Sequence, residues 1–358
     1  MKKIIFVSNE YHAGKTSIIL GLGLNLLQRG KKIGYYKPWS ILSERSTENE
    51  LIDPNLSMIK ETLKLNDKIT ELFGVAIPPN YLSEFLKENL NVIWNKISLS
   101  YDNISKKSRD YLFIEGHGYP NFGQFLDISH KRIADYTQAE PMIIAGMNKF
   151  DRDRIVDSVI VTKNIFNKNS RIKCIINKIP LDFPSSQMDL IEKQLDKHKI
   201  SLIGNIPESK VLAHPTVNDI FNRIQGEAII PPIKENRSKI VQEFLIGAME
   251  VQSALPFLRK IGSKAVVTGG DRSDLILAAM ETNTVMLILT GTKYPESKVL
   301  LKARRNKIPI LLVPYDTHTV IRQIDSITWL TPPNNEIKIS EVKKLVQKHV
   351  NLEEINEE

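Results

Sequence analysis

The sequence predicts a two-domain α/β protein in which each domain is built on a parallel sheet with helices on both faces. Its 358 residues are enough for about two domains. Short, continuously apolar segments recur along the chain, as expected of strands that are buried on both faces. Segments with apolar residues at helical spacing lie between them, and this alternation of strand and helix is typical of a parallel sheet.

The first domain is expected to span residues 1–225. Its strands are predicted from apolar segments rich in β-branched residues at 4–7, 32–36, 111–116, 141–146, 172–177 and 201–206. The first helix is predicted from Lys15 to Arg29, because Gly30 follows and glycine is favoured just beyond a helix C-terminus. Helices are also predicted over 54–65 and 151–166, where apolar side chains recur at helical spacing.

The alternation breaks at residues 226–237, where Pro231 and Pro232 stand among polar and charged residues, so we expect a linker there. A second, smaller α/β domain is predicted over 238–330. Its strands are expected at 241–247, 264–270, 285–291 and 308–314, and its helices at 250–261, 272–282 and 295–305. Residues 331–358 are expected to form a charged C-terminal helix, at 340–350, and a partly disordered acidic tail.

Composition narrows the function classes. Hydrophobic residues make up 42% of the chain and charged residues 25%, as in ordinary globular proteins. The single cysteine, Cys174, excludes an intrachain disulfide and the usual zinc spacings, and it favours a cytoplasmic protein. No signal peptide or membrane-spanning segment is predicted, so we expect no membrane partner. The net charge of +8 is spread along the chain, and without a helix-turn-helix or zinc pattern we do not expect nucleic acid binding.

The strongest local motif lies between the first predicted strand and the first predicted helix. Gly14, Lys15 and Thr16 open the helix, which is the context of a phosphate-binding P-loop. Lys15 would reach the β- and γ-phosphates, and the Thr16 hydroxyl would ligate Mg²⁺. Asn9 stands where the usual motif begins with glycine, and we expect it to be tolerated because asparagine accepts left-handed backbone geometry. The alternative is an ordinary strand–helix turn with a chance Gly-Lys-Thr. The predicted nucleotide-binding residues of this loop are Asn9, Glu10, His12, Ala13, Gly14, Lys15, Thr16 and Ser17.

Two further segments support a nucleotide site. Lys37-Pro38 closes the second predicted strand, at the edge where a parallel sheet presents residues to a ligand. Glu115 ends the third predicted strand, and a carboxylate beside a P-loop is a good Mg²⁺ ligand. The alternative for Lys37 is a solvated lysine before a turn. The alternative for Glu115 is a capped strand end.

In these segments the sequence resembles dethiobiotin synthetase. The matching residues, in the same order and strand context, are Gly-Lys-Thr at 14–16, Lys-Pro at 37–38, Glu-Gly at 115–116, and the later segments 176–180 and 203–209. The resemblance covers about residues 1–225 and implies that the P-loop binds ATP with Mg²⁺. It further implies that Lys37 is catalytic, binding a carbamate made from a diamino acid and CO₂. Thr16 and Glu115 would bind the metal, and Asn177 and Pro207 would lie at the adenine.

The sequence also departs from that family. Asn55 aligns with an aspartate near the family's metal, and Asp53 lies two residues before it. Which of the two contacts the metal is left open. The family's glycine-rich segment after the strand-end glutamate contains His117 and Tyr119 here, which would reshape the pocket for a small diamine. We expect His117 to line a pocket wall. These departures argue against ligase chemistry and leave the prediction of nucleotide binding intact.

The second predicted domain resembles a DRTGG domain through residues 268–274, which follow a strand and open a helix. A dethiobiotin-synthetase-like domain followed by a DRTGG domain resembles the N-terminal regulatory region of long phosphotransacetylases. The acetyl-transferring domain that follows there has no counterpart within these 358 residues, so we expect a stand-alone version of the regulatory pair.

The glycine-rich turn of the second domain would suit a small anionic effector. Glycines permit close backbone approach, a helix N-terminus attracts anions, and Arg272 would clamp a phosphate or carboxylate. The alternative is that Asp271 and Arg272 form a structural ion pair. The candidate effector residues are Gly269, Gly270, Asp271, Arg272, Asp274 and Thr290.

The sequence therefore predicts a nucleotide-binding regulatory or sensory protein that uses ATP and Mg²⁺. Through its resemblance to phosphotransacetylases, we expect it to act with a partner enzyme of acetyl-phosphate or acetyl-CoA metabolism, and to form a homo-oligomer. The alternative is an ATP-dependent ligase of dethiobiotin-synthetase type, acting on a carboxylate or carbamate.

Overall fold

The computed structural model describes residues 1–42, 53–85, 90–147, 152–166, 170–327 and 335–356. Packing divides the chain into two units, and each is described here by itself. Unit 1 comprises Met1–Glu208 and Lys338–Glu358, and unit 2 comprises Ser209–Ile337.

Over the described residues, the strands are β1 (Lys2–Ser8), β2 (Ile33–Ile41), β3 (Phe73–Ile77), β4 (Tyr111–Glu115), β5 (Glu140–Gly146), β6 (Ile172–Ile179), β7 (Ile200–Pro207), β8 (Glu227–Ile230), β9 (Glu243–Ile246), β10 (Lys264–Gly269), β11 (Thr284–Thr290) and β12 (Ile310–Leu312). The helices are α1 (Lys15–Gln28), α2 (Pro54–Thr62), α3 (Tyr81–Phe85), α4 (Leu90–Ser105), α5 (His130–Thr137), α6 (Ile155–Lys163), α7 (Ser185–Lys197), α8 (Lys210–Ala213), α9 (Val217–Arg223), α10 (Lys234–Arg237), α11 (Val251–Lys260), α12 (Ser273–Ala279), α13 (Ser297–Arg305), α14 (Thr317–Ile327), α15 (Glu336–His349) and α16 (Glu353–Asn356). Short 3₁₀ helices cover Ile69–Glu71 and Arg152–Arg154. No helix in the described residues combines the length and the apolar character that crossing a membrane requires.

Unit 1 is built on a seven-stranded sheet in the order β3-β2-β4-β1-β5-β6-β7, and its neighbouring strands are parallel. The predicted α/β fold with a parallel sheet is confirmed. All of β4 and the last five residues of β1 are buried, which is why these segments are continuously apolar. Because β1 lies between β4 and β5, the strand order reverses at β1. A crevice forms beyond the carboxyl ends of strands at such a point.

The sequence did not predict β3, the edge strand of this sheet. Of its five residues only Ile77 is buried, although all five are nonpolar. The strand pairs with β2 from Lys37 to Ile41, so β3 lies beside the carboxyl-terminal part of β2.

Unit 2 is built on a five-stranded sheet in the order β8-β12-β11-β10-β9. The four predicted strands of this domain correspond to β9, β10, β11 and β12, which run parallel, whereas β8 is antiparallel to β12. The β8 strand lies inside the segment expected to be a linker, 226–237. Its Ile229 and Ile230 pack against the apolar core of the unit, and this burial outweighs the loop-like composition of the neighbouring residues.

The C-terminal segment packs within unit 1. Val342 and Val346 of α15 are buried, and a Cβ on Gly21 of α1 would lie 2.4 Å from the Val346 Cγ2 atom. Asn25 Nδ2 also donates to the Lys343 backbone oxygen at 3.0 Å. The packing therefore divides the chain differently from the predicted boundaries, since the segment expected to be a separate charged tail is part of unit 1. The predicted boundary at 330/331 lies outside the described residues.

Candidate functional site

The loop that joins β1 to α1 has two residues in the left-handed region of backbone geometry. His12 has φ +56° and Gly14, at the N-terminus of α1, has φ +96°. Asn177 Nδ2 donates to the Ala13 backbone oxygen at 2.8 Å, and a Cβ at position 14 would lie only 2.3 Å from this nitrogen. Lys178 Nζ donates to the His12 backbone oxygen at 2.6 Å. The end of β6 therefore fixes the loop, and position 14 requires glycine for both conformation and space.

The Asn9 side chain has a different role from the one that the sequence predicted. Its φ is not positive, so left-handed geometry is not needed there, and that prediction is wrong. Instead, its Nδ2 donates to the Gly146 backbone oxygen at 3.2 Å and to Ser158 Oγ at 3.1 Å, while its Oδ1 accepts from Gly146 N at 2.9 Å. The Asn9 amide thus anchors the loop to the end of β5 and to α6.

Lys15 is the first residue of α1, and its ammonium group lies over the loop. Its Nζ donates to Ser8 Oγ at 2.6 Å and to the Gly118 backbone oxygen at 3.3 Å. Burial lowers the pKa of Lys15 to about 8, with Lys37 acting in the same direction and Glu115 opposing. Both of these acceptors are uncharged oxygens, so a phosphate oxygen would be a stronger partner for the ammonium.

Glu115, at the carboxyl end of β4, accepts a hydrogen bond on each carboxylate oxygen. The Thr16 hydroxyl donates to Oε1 at 2.6 Å, and the buried Tyr35 hydroxyl donates to Oε2 at 2.7 Å. Thr16 and Glu115, which the sequence placed together at a metal, are therefore in direct contact. Mg²⁺ is commonly held by one or two protein oxygens together with substrate phosphates. Within the described residues no group of three or more His, Cys, Asp or Glu is arranged to hold a metal.

Lys37 forms a buried ion pair that the sequence did not predict. Its Nζ lies 2.5 Å from Asp53 Oδ2 and 4.0 Å from Glu115 Oε1. Burial alone would lower the pKa of Lys37, but Glu115 and Asp53 raise it above its usual value. Asp53 also accepts from Asn55 N at 2.9 Å on its second oxygen, as the N-cap of α2. The carboxylate at Lys37 therefore belongs to Asp53, whereas the family alignment pointed to Asn55.

His117, in the loop after β4, lies among aromatic rings. Tyr11 OH is 3.0 Å from its Nε2 and Ser40 Oγ is 3.1 Å from its Nδ1. Its ring stacks on Phe122 at an interplanar angle of 12° and lies 5.0 Å from the Trp39 ring. Burial, followed by the charges of Lys37 and Lys15, lowers the pKa of His117 to about 3. The imidazole is therefore neutral near pH 7, and it joins the P-loop to the end of β2.

The remaining predicted residues of this site surround the loop. Burial raises the pKa of Glu10, with Lys178 opposing, and a Cβ on Gly146 would meet Glu10 Oε1 at 2.6 Å. Ser17 lies in the first turn of α1. Pro207 ends β7 opposite Ile179 of β6. Asn177 and Pro207 thus lie near the carboxyl ends of two adjacent strands.

The glycine-rich turn of unit 2 is held by contacts with the segments that follow β9 and β11. A Cβ on Gly270 would lie 1.7 Å from the Lys293 backbone oxygen, so only glycine fits there. Lys293 Nζ pairs with Asp271 Oδ2 at 2.6 Å. The Arg272 guanidinium donates to the backbone oxygens of Gly247, at 3.4 Å, and Met249, at 2.6 Å. Asp271 is therefore paired with Lys293, and the alternative of an Asp271–Arg272 ion pair is wrong.

The other candidate residues of unit 2 lie at the same edge of its sheet. Gly269 and Thr290 are the last residues of β10 and β11, and Asp274 lies in the first turn of α12. The Thr290 hydroxyl lies 3.4 Å from the Thr317 hydroxyl. The structure thus brings the predicted residues to one edge, with Arg272 already engaged by main-chain oxygens.

Comparison with known families and proteins gives matches to both parts of the chain. The family model of the AAA domain matches residues 2–216, and that of the DRTGG domain matches residues 219–327. The predicted DRTGG domain is thereby confirmed.

Among curated proteins, the chain is 21% identical over 370 residues to phosphate acetyltransferase of Nitratidesulfovibrio vulgaris, covering 98% of this chain and 51% of that protein. It is 23% identical over 392 residues to the Haemophilus influenzae phosphate acetyltransferase, covering 99% and 52%. It is 26% identical over 122 residues to the cobalt-dependent inorganic pyrophosphatase of Clostridium perfringens, covering 34% and 21%. The predicted similarity to phosphotransacetylases is confirmed, and the chain spans about half the length of those it matches.

Proposed function

Because the chain belongs to the AAA domain family, whose model matches its residues 2–216, we propose that unit 1 binds ATP with Mg²⁺. We further propose that the protein is regulatory or sensory, with the bound nucleotide as its signal. The observation that supports the proposal best is that three side chains, those of Lys15, Thr16 and Glu115, lie close together at one edge of the sheet. Lys15 opens α1, Thr16 follows it, and Glu115 reaches the Thr16 hydroxyl from the neighbouring strand at 2.6 Å.

Each of these groups has a role that its chemistry supports. The N-terminus of α1 presents backbone N–H groups to an anion, and the Lys15 ammonium would move from Ser8 Oγ to the β- and γ-phosphates. Thr16 and Glu115 would hold Mg²⁺, which supplies charge neutralisation of the phosphates when bound. Asn177 and Pro207 would border the base, while the Asn177 amide keeps Ala13 in place.

The regulatory part of the proposal draws on the relatives. The proteins of similar sequence include phosphate acetyltransferases, and unit 2 carries the DRTGG match. We propose a partner enzyme of acetyl-phosphate or acetyl-CoA metabolism and a homo-oligomeric assembly. A small anionic effector would bind at the edge of unit 2 formed by Gly269, Gly270, Asp271, Arg272, Asp274 and Thr290. Arg272 would then exchange its contact with Gly247 or Met249 for the anion.

A second candidate function is ATP-dependent ligation of a carboxylate or carbamate. It is favoured by the buried Lys37, whose ammonium lies 4.0 Å from Glu115 and so close to the proposed metal. Lys37 would then position an acyl phosphate, but its ammonium is engaged by Asp53 at 2.5 Å. An assay with ATP, bicarbonate and diaminopelargonate separates the two functions. Phosphate release that depends on the diamine would establish the ligase, and release without that dependence supports the regulatory protein.

Calorimetry tests the nucleotide proposal directly. ATP is titrated into the protein with Mg²⁺ and, separately, with a chelator. We expect saturable heat that is stronger with Mg²⁺, because the metal joins Thr16 and Glu115 to the phosphates. No heat up to millimolar ATP would overturn the proposal.

A further inference from the structure

A cavity opens in unit 1, at the carboxyl ends of β2 and β3 and apart from the P-loop. Its volume is about 210 Å³. The walls come from β2, from β3, from the start of α3 and from the loop that follows β4. Its lining residues are Trp39, Ile41, Ile77, Tyr81, Asn121, Phe122, Gly123, Gln124, Phe125 and Leu126.

The cavity continues the face of β2 that carries Lys37. Alternate residues of a strand project to the same face, and Lys37, Trp39 and Ile41 are alternate residues of β2. The Trp39 ring is fixed because its Nε1 donates to the Ile128 backbone oxygen at 3.1 Å. The Trp39 side of the cavity is therefore a fixed wall.

The lining residues carry no carboxylate, ammonium or guanidinium group. Most are apolar or aromatic, and Asn121 and Gln124 add uncharged amides. Among the described residues, the carboxylate at Lys37 belongs to Asp53, and the two are paired at 2.5 Å. Behind the wall, the His117 ring stacks on Phe122. Moving a charged group into such surroundings without a partner is unfavourable.

The volume sets the size of an occupant. An apolar cavity of roughly 150 Å³, lined by leucine, isoleucine and phenylalanine, stays dry and binds benzene. About 210 Å³ therefore accommodates one six-membered ring with a small substituent. Flat rings also pack favourably against tryptophan and phenylalanine side chains.

We propose that this cavity binds a small, uncharged molecule with a single aromatic ring and a hydrogen-bonding substituent, which the Asn121 or Gln124 amide receives. Binding in the cavity does not depend on the proposed function. The inference rests on the proposed function in one respect, that the molecule acts as an effector of the nucleotide-binding unit. The same chemistry argues against the diamine of the ligase hypothesis, because its ammonium group would meet no carboxylate among the described lining residues.

The cavity is joined to the P-loop through aromatic contacts. Phe122 lines the cavity and lies 5.7 Å from the ring of Tyr11, a residue of the loop itself. Tyr11 OH is also 3.0 Å from His117, which stacks on Phe122. An occupant against Phe122 thus touches a ring that packs on the nucleotide loop.

The test uses three matched probes of one ring and nearly equal size, without nucleotide. Benzyl alcohol is neutral, benzylamine is a cation and benzoate is an anion. Binding of each to the full chain is measured by saturation-transfer NMR titration at pH 7. We expect benzyl alcohol to bind at least about tenfold more tightly than either charged probe, which corresponds to 1.4 kcal/mol. Benzylamine binding as tightly would show an aromatic cage for cations and overturn the proposal.

Two variants locate the binding. Gln124→Trp places a large ring at the cavity, and Gln194→Trp makes the same change at an exposed position of α7. We expect the first to abolish benzyl alcohol binding and the second to preserve it. Phe125→Ala removes an aromatic wall from a half-exposed position and should weaken binding. Binding that is unchanged in both cavity variants would overturn the proposal. Because no nucleotide is present, its failure is distinct from a failure to bind ATP.

Discussion

At the scale of single residues, Lys15 has the clearest predicted effect. Its ammonium now rests on the uncharged oxygens of Ser8 and Gly118, and a phosphate oxygen would be a stronger partner. We expect Lys15→Ala to weaken ATP binding by about 10- to 100-fold, the range for losing a hydrogen bond to a charged group. Calorimetry measures this. Lys193→Ala, an exposed lysine of α7, is the control and should bind like the wild type.

The same residue predicts a pH dependence of affinity. Burial places the pKa of Lys15 at about 8 in the free protein, and phosphate contact would raise it in the complex. Above pH 8 the free protein must therefore take up a proton to bind, so the affinity for ATP should fall from pH 8 to pH 9, by at most about tenfold. Calorimetric titrations at pH 7, 8 and 9 check this. An equal fall in Lys15→Ala would show that another group titrates.

The sequence predicted the residues of the site that belong to a contiguous motif or end a buried strand. Lys15, Thr16 and Glu115 are of this kind, and the fold brings them together with Lys37. The prediction that Lys37 closes its strand is wrong, because β2 continues to Ile41. Asp53 was named only as a possible metal contact, and its ion pair with Lys37 was missed because it depends on how α2 is placed after β2, which no local pattern encodes. The sequence also could not show that Arg272 is engaged by main-chain oxygens, since these contacts come from a neighbouring strand end.

At the scale of elements, the junction of β1 with α1 depends on a glycine that two effects require. Gly14→Ala combines a φ of +96° with a Cβ 2.3 Å from Asn177 Nδ2. Gly30→Ala is a matched control, because Gly30 has φ +76° and open space around its Cβ position.

We expect Gly30→Ala to cost about 1 kcal/mol of unfolding free energy, from backbone geometry alone. Gly14→Ala should cost more and should also weaken ATP binding, since the loop or Asn177 must move. Urea denaturation and calorimetry of both variants provide the comparison. Equal stability losses with ATP binding intact would contradict the role of Asn177 as the wall of the loop.

The helix α15 gives an element-scale prediction about unit 1. Val346 packs against Gly21 of α1, while Gln347 on the same helix is exposed. Val346→Asp would bury a carboxylate without a partner, so we expect a loss of about 3–5 kcal/mol in unfolding free energy. Gln347→Asp should have little effect. Urea denaturation checks both, and equal curves would contradict the packing of α15 on α1.

The strands β1 and β4 are continuously apolar because they lie inside the sheet, and both were predicted. Of the edge strands, β7 and β9 were predicted, whereas β3 and β8 were not. The composition of neighbouring residues can conceal an edge strand. β8 shows this most clearly, since it was hidden in a segment whose prolines and charges indicate a linker.

At the scale of the whole molecule, the order of the predicted strands and helices indicated two α/β domains. It did not show which segments of the chain belong to each packed unit. The chain returns to unit 1 after unit 2, through α15 and α16. Sequence periodicity predicts that a helix forms there, but the partner of its apolar side is distant in the chain. Since the chain spans about half the length of the phosphate acetyltransferases it matches, its site residues are the firmest basis for assigning a function.

Amide hydrogen exchange with and without ATP and Mg²⁺ tests the central claim most directly, because it reports where the nucleotide binds. We predict slower exchange over residues 12–17, the loop and first turn of α1, with no change in α7 (Ser185–Lys197). At an ATP concentration that half-saturates the wild type, the protection should be much weaker in Lys15→Ala. Unchanged exchange over 12–17 at saturating ATP would contradict the assignment of this loop as the nucleotide site.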